Sequence, residues 1–341
     1  MGATPYLSLD AEVMQANIDA MAEHARRYGM VLRPHAKTHK SPAVAEVQLT
    51  AGAQGLTVAT IGEAEVFASV CRDLFIAYPL WVDGDASARL TSLSEAGVRL
   101  RVGCDSETSG RNLAGLPVEV LVEIDSGHHR SGVAPESAGA LAQNLAGLGL
   151  TVLGVFTFPG HSYSPGSGEA AALEEAEALA RAAASLREFG IEPAVISGGS
   201  TPSASFSTSV ATELRPGVYV FGDAQQVELG TIQPEQVALT VVSTVVSHAG
   251  GRVICDAGSK ALAADRAPWA SGYGRVFGEP DARIVALSEH HATISWPGEL
   301  PALGSTLRLL PNHACNAVNL ADSYRLSTGE LWSIPARGRN N

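Results

Sequence analysis

The sequence predicts a (β/α)₈ barrel over residues 1–230, an antiparallel β domain over residues 231–335, and a short frayed tail at 336–341. Three observations predict it. Eight short apolar runs alternate with Ala-rich helical stretches between Gly29 and Asp223. The runs are apolar almost without interruption, as strands buried on both faces of a parallel sheet are. After Asp223 the alternation stops, and no long helical stretch appears from residue 235 to 335. A doubly wound open sheet is the alternative reading of the same alternation.

Taken in order, "GMVLRPH" (29–35) reads as the first strand. Ser41 then caps a helix to about Ala51, with Pro42 in its first turn, where a missing N–H costs nothing. "GLTVAT" is the second strand and "IGEAEVFASVCR" its helix; "LFIAYPL" is the third, followed by a helix around 85–96. "VRLRVG" and "VEVLVEID" are the fourth and fifth, and a helix at 135–147 leads to "TVLGVFTF". A long helix at 168–189 leads to "PAVISGG", and "LRPGVYVFGD" is the eighth strand. Beyond it, "VALTVVSTVVSHAGGRVICDAG" reads as two strands joined by a turn at Ala249-Gly250-Gly251. "ARIVALSEHHATISW" and "STLRLLPNHACNAVNLAD" continue in that style.

Composition narrows the function. The 341 residues are 45% hydrophobic and 17% charged, which is ordinary for a globular chain with a large core. A net charge of −12 argues against a nucleic-acid partner, because phosphate backbones select basic surfaces. No apolar run is long enough to span a bilayer, so no membrane is expected. "MGATPYLSLD" lacks a basic segment leading into an apolar one, so no secretory signal is expected, and Tyr6 breaks the myristoylation pattern. The four cysteines, Cys71, Cys104, Cys255 and Cys315, are too scattered for a disulfide framework or a zinc knuckle, and a reducing cytoplasm suits them.

A barrel of this kind carries its chemistry where the strands end. Four of the predicted ends are "HAKTH", "EIDSGHHRSG", "TFPGHSY" and "SGGSTPS". The first adjoins a cluster of bases: Arg33, His35, Lys37, His39 and Lys40. A solvated lysine is the ordinary reading of Lys37. The sharper one is a lysine whose cationic neighbours lower its pKa, so that the neutral amine can form a Schiff base. In "SGGSTPS" two glycines allow a close backbone approach, and exposed N–H groups at a helix start suit a phosphate, although a plain turn explains the same letters. A lysine, an anion cradle and an arginine are what a pyridoxal phosphate site requires. In "PNHACNAVNLAD", His313 and Cys315 are two apart; on a strand they would share a face and could hold zinc with coordination positions left open. Packing alone also accounts for such a pair.

Seven motifs in order resemble one family: "RPHAKTHK", "EIDSGHHRSGV", "PGHSY", "SGGSTPS", "ELRPGVYVFGD", "CDAGSKAL" and "PNHACNAVNLAD". Together they resemble the fold-type III pyridoxal phosphate enzymes of the D-serine dehydratase and D-threonine aldolase branch, over nearly the whole chain. The resemblance implies a TIM-like, alanine-racemase-like barrel and a C-terminal β domain carrying a metal motif. It implies that Lys37 carries pyridoxal 5'-phosphate and that Arg130 faces the cofactor's phenolic oxygen. Tyr163 would lie beside the ring, and Ser200, Thr201 and the backbone of Gly217 and Val218 would cradle the phosphate. His313 and Cys315 would hold a divalent metal, zinc by the softness of the thiolate, with manganese the alternative. Arg33, His35, His39, Lys40 and His161 are given no role by the resemblance; His35 or His39 could help position Lys37. The activity implied is a lyase on D-3-hydroxy amino acids: D-serine dehydratase first, and retro-aldol cleavage of D-threonine-like substrates second. A non-catalytic cofactor carrier or a racemase fits less well, because neither calls for the metal pair. A homodimer is expected on the same resemblance.

Overall fold

The computed structural model describes residues 3–206 and 208–341. They divide into two compact units. One comprises residues 20–37, 44–206, 208–217 and 339–341; the other comprises 3–19, 38–43 and 218–338. No single cut in the chain separates them, and each takes segments from both halves of the sequence.

The first strand of the chain, β1 (Tyr6–Leu9), belongs to the second unit. The strands of the first unit are β2 (Val31–Leu32), β3 (Leu56–Val58), β4 (Asp73–Pro79), β5 (Arg99–Cys104), β6 (Glu119–Glu123), β7 (Thr151–Phe156), β8 (Val195–Gly198) and β9 (Glu213–Leu214). All pair in parallel, in the order β2-β9-β8-β7-β6-β5-β4-β3. A parallel bridge between His35 and Thr57 joins the two ends, with Ala36 N donating to Thr57 O and Thr57 N to Pro34 O. The eight strands therefore form a closed barrel, and the open sheet is set aside. The connecting helices include Pro42–Thr50, Ile61–Phe67, Gly84–Glu95, Ala138–Gly147 and Gly168–Glu188.

Two layers of buried side chains fill this barrel. In one, Phe75 and Phe156 meet edge to face at 5.0 Å beside Leu121, and the Arg215 guanidinium lies over both rings. The other is ionic. Arg33, 2% exposed, donates to Glu213 at 2.7 Å and to Asp73 at 2.9 and 3.2 Å; Arg101 bonds the same two carboxylates.

Two sequence expectations are corrected here. "LRPGVYVFGD" is not a full strand. Only Glu213 and Leu214 pair, because Pro216 and Gly217 break the ladder and residues 218–220 turn as a short 3₁₀ helix. The tail is not frayed either: Thr60 donates its hydroxyl to Arg339 O, and Gly62 N donates to Asn341 O at 2.7 Å.

The second unit contains β10 (Leu239–Ser247), β11 (Val253–Cys255), β12 (Gly274–Val276), β13 (Glu279–Leu287), β14 (Ala292–Ser295), β15 (Thr306–Pro311), β16 (Ser323–Leu326) and β17 (Leu331–Ser333). Strand β10 bends at an irregularity between Val245 and Ser247, so it pairs with β15 and then with β11. This closes an antiparallel ring, β10-β11-β14-β13-β12-β15, to which β1, β16 and β17 are added. Within that addition, β1 lies antiparallel to β10 and parallel to β16.

Candidate active site

The bases of "LRPHAKTHK" separate on folding. Arg33 is committed to the ionic layer. His39 is buried in the second unit, where its ring bonds Ser41 and its carbonyl accepts the Tyr324 hydroxyl. Lys40 Nζ donates to Ala336 O. That leaves His35 and Lys37 on the wall of a cavity of about 480 Å³ in the barrel unit. The cationic shell expected around Lys37 therefore does not come from its sequence neighbours. It comes from Arg130 and Arg215, which line the same cavity with Asp105 and Phe158. Lys37 Nζ and the Arg130 guanidinium both stand over the Phe158 ring, at 5.5 and 5.3 Å from its centre. Lys37 N points at His35 Nδ1, 3.4 Å away.

Arg130 sits in a tightly specified loop. Asp125 accepts from Gly127 N, His129 N and His129 Nδ1, which fixes the turn before Arg130. The buried Glu123 accepts the Ser131 hydroxyl at 2.9 Å and stands 4.0 Å from Arg130. Burial pushes its carboxyl above the usual range despite Ser131 and Arg130. His161 lies 3.0 Å from Glu174.

The other expected cofactor residues lie outside the cavity wall. Tyr163 packs its ring 6.2 Å from Phe158. Ser200 caps the short helix Thr201–Ala204, and its hydroxyl lies 2.8 Å from those of Ser162 and Ser203. The "SGGSTPS" segment is not the exposed row of amides the sequence suggests: Ser200 and Thr201 are buried. Gly199 N is taken by Glu175, and Ser200 N by the Ser203 hydroxyl. Gly217 follows the last barrel strand, and Val218 begins the 3₁₀ turn of the second unit.

In the second unit, strand β15 ends at Pro311, so His313 and Cys315 do not share a strand face. His313 is extended (φ −131°, ψ 114°) at the N-cap of the helix Ala314–Val318, and Cys315 lies in its first turn. The pair still works as one group. Asp223, fully buried, lies 3.1 Å from His313 Nδ1 and accepts from Ala314 N, and the Cys315 thiol bonds the Thr38 hydroxyl at 3.2 Å. Burial disfavours charge on His313, but Cys315 and Asp223 more than offset it and hold the imidazole well above its ordinary value. A carboxylate on one imidazole nitrogen fixes the tautomer and leaves the other for a metal, and an adjacent thiol completes a soft donor pair. These residues fit a divalent metal. Sequence reasoning missed Asp223 and Arg215; each is a lone polar letter whose partners lie far away in the chain.

Residues 9–225 match the family described as alanine racemase, N-terminal domain. The chain belongs to that family. Residues 238–326 match a second, described as putative serine dehydratase domain. The chain is 35% identical to D-threo-3-hydroxyaspartate dehydratase of Delftia sp. (strain HT23), over 92% of this chain and 90% of that one. It is 36% identical to D-threonine aldolase of Arthrobacter sp, over 98% and 93%. It is 27% identical to D-serine dehydratase of Dictyostelium discoideum, over 95% and 93%. The solved structure of the Delftia sp. HT23 enzyme superposes with a TM-score of 0.90 at 33% identity, covering 98% of this chain and 97% of that one. A cysteine-to-alanine variant of that enzyme is described as in the metal-free form; its TM-score is 0.89, with the same identity and coverage.

Proposed function

We propose that this protein is a pyridoxal 5'-phosphate- and metal-dependent lyase that dehydrates D-3-hydroxy amino acids, with D-serine, converted to pyruvate and ammonia, as the first substrate. The observation that carries the reading is the His313–Cys315 pair, with Asp223 behind the imidazole and Thr38 on the thiol. A thiolate-imidazole pair favours zinc over manganese. It also matches the dehydratase relative whose cysteine variant is metal-free.

Lys37 would carry the cofactor, and Arg130, beside the same aromatic ring, would face its phenolic oxygen. Tyr163, Ser200, Thr201 and the backbone of Gly217 and Val218 would hold the ring and the phosphate. When bound, the cofactor delocalises the charge left on the substrate's α-carbon. Lys37 Nζ is the base for the α-proton, and Phe158 keeps water from one side of it. A metal held at the His313–Cys315 pair would supply Lewis acidity for the substrate's 3-hydroxyl. His313 and Cys315 would be its two protein donors, and Asp223, 3.1 Å from His313 Nδ1, would keep His313 in one tautomer. We place the enzyme in the cytoplasm, with its four cysteines as free thiols, and as a homodimer.

A second reading, retro-aldol cleavage to glycine and an aldehyde, is favoured by the 36% identity to a D-threonine aldolase. One experiment separates them: incubation of the purified holoenzyme with D-serine, D-threonine and D-threo-3-hydroxyaspartate, with product identification. Pyruvate from D-serine and 2-oxobutyrate from D-threonine support dehydration. Glycine and acetaldehyde from D-threonine support the aldolase reading, and no turnover of any of the three overturns both.

A further inference from the structure

The long helix Gly168–Glu188 carries a carboxyl where its pattern calls for a hydrocarbon. Ala171, Ala178, Leu179, Ala182 and Leu186 form its buried stripe, and Glu175 lies on that stripe, 8% exposed. A polar group in such a place is costly unless it is hydrogen-bonded. Glu175 Oε1 accepts the backbone N–H of Gly199 at 2.6 Å. Burial pushes its carboxyl up to about 7, against the pull of the Gly199 N–H and the Arg215 charge.

The bond lands on the second glycine of "SGGS", one residue before Ser200. Gly199 holds φ +91°, a left-handed conformation that side chains resist, and a Cβ there would meet Leu214 at 2.2 Å. A Cβ on Gly198 would meet Glu175 Oε1 itself at 2.4 Å. The two glycines and the carboxyl therefore form one fitted unit: the carboxyl needs the space, and the turn needs the acceptor. Immediately beyond it, the Ser200 hydroxyl is fixed between Ser162 and Ser203.

We propose that Glu175 is a positioning residue for the cofactor's phosphate: by holding the Gly199 N–H it sets the Gly198–Gly199 turn that presents Ser200 and Thr201. The inference rests on the reading of Ser200 and Thr201 as phosphate ligands. A near-neutral carboxyl suits this role, since it accepts from Gly199 without setting a full second negative charge behind a phosphate. Glu175 would act through the Gly199 N–H and not by contact with the cofactor.

The test is a titration of cofactor-stripped protein with pyridoxal 5'-phosphate and, separately, with pyridoxal, which lacks the phosphate. Wild type, Glu175→Gln and Glu175→Leu are compared by the visible absorbance of the bound cofactor and by kcat at saturating cofactor. Glu175→Gln keeps the acceptor and should bind like wild type. Glu175→Leu should weaken pyridoxal 5'-phosphate about tenfold, the scale of one lost buried hydrogen bond, with kcat at saturation and pyridoxal affinity unchanged. If the Leu variant does not fold, Glu175→Asp, which withdraws the carboxyl by one methylene, makes the same comparison. Equal loss of both ligands, a Gln variant as weak as Leu, or an unaffected Leu variant overturns the proposal. Wild type that binds no pyridoxal 5'-phosphate overturns the underlying site reading, and the proposal with it.

Discussion

Replacing Arg33 by methionine should cost stability and leave cofactor binding intact, although Arg33 lies four residues from Lys37. The guanidinium is 2% exposed and gives its Nε to Glu213 at 2.7 Å and its NH1 and NH2 to Asp73 at 2.9 and 3.2 Å. Breaking a buried ion pair from one side costs roughly 3–5 kcal/mol, mostly from the charge left behind. Here the orphans are partly rescued. Glu213 keeps Arg101 at 3.3 Å and Ser197 at 2.7 Å, and Asp73, whose side chain is 26% exposed, keeps Arg101 at 3.2 Å. The low end, about 3 kcal/mol, is therefore expected. At about 2 °C per kcal/mol for a chain of this size, Tm should fall by roughly 6 °C. Thermal unfolding followed by circular dichroism reads that shift, and cofactor titration well below the transition should give the wild-type Kd. Arg33→Met/Glu213→Gln should recover part of the loss, because it removes the stranded carboxylate. A single variant within 1 kcal/mol of wild type, or one of wild-type stability that fails to hold the cofactor, would refute the assignment of Arg33 to structure.

The remaining predictions concern the site itself. Lys37→Ala should abolish the visible absorbance of bound cofactor along with activity; an unchanged spectrum would remove Lys37 from its role. A chelator should abolish lyase activity without altering that absorbance, zinc should restore it, and Cys315→Asp should shift the preference toward manganese with weaker dehydration. Full pyruvate production after metal removal, verified by elemental analysis, would contradict the metal reading. Asp223→Asn should weaken metal affinity about 10–100-fold while the cofactor Kd holds steady, as measured by competition with a chelating dye; undiminished metal binding would leave Asp223 only its structural bonds, to Ala314 N and as the N-cap that accepts from Gln226 N.

The barrel was legible because most of its strands are short, apolar and followed by helical sequence, so local letters carry the pattern. The second closed ring was legible as β structure but not in its topology, since that depends on the bend in β10. Strand β1 was not legible. Its alternation of Leu7, Ser8 and Leu9 is too short to signal a strand without its partners, Leu239–Val242 and Tyr324–Leu326. In the site, the two-residue spacing of His313 and Cys315 gave the pair but not its conformation, which follows from Pro311 ending the ladder. The cluster of bases was misleading for a simple reason: adjacency in sequence says nothing about which carboxylate each base will find. Glu175 left a trace, a charge on the alanine stripe of a long helix, but its partner Gly199 lies 24 residues on and could only be found in space.

The place of β1 also dictates an order of events during synthesis. Residues 6–9 are synthesised well before the strands that hydrogen-bond them on both sides, which begin at Leu239 and Ser323. At ordinary translation rates those partners arrive tens of seconds later. Through that interval a strand segment with two open edges lacks its partners, although the barrel's own strands are all completed by Leu214. The nascent chain therefore has a vulnerable period that lasts until Ser323–Leu326 has been made. Until then the open edges of Tyr6–Leu9 are a template on which another chain can pair.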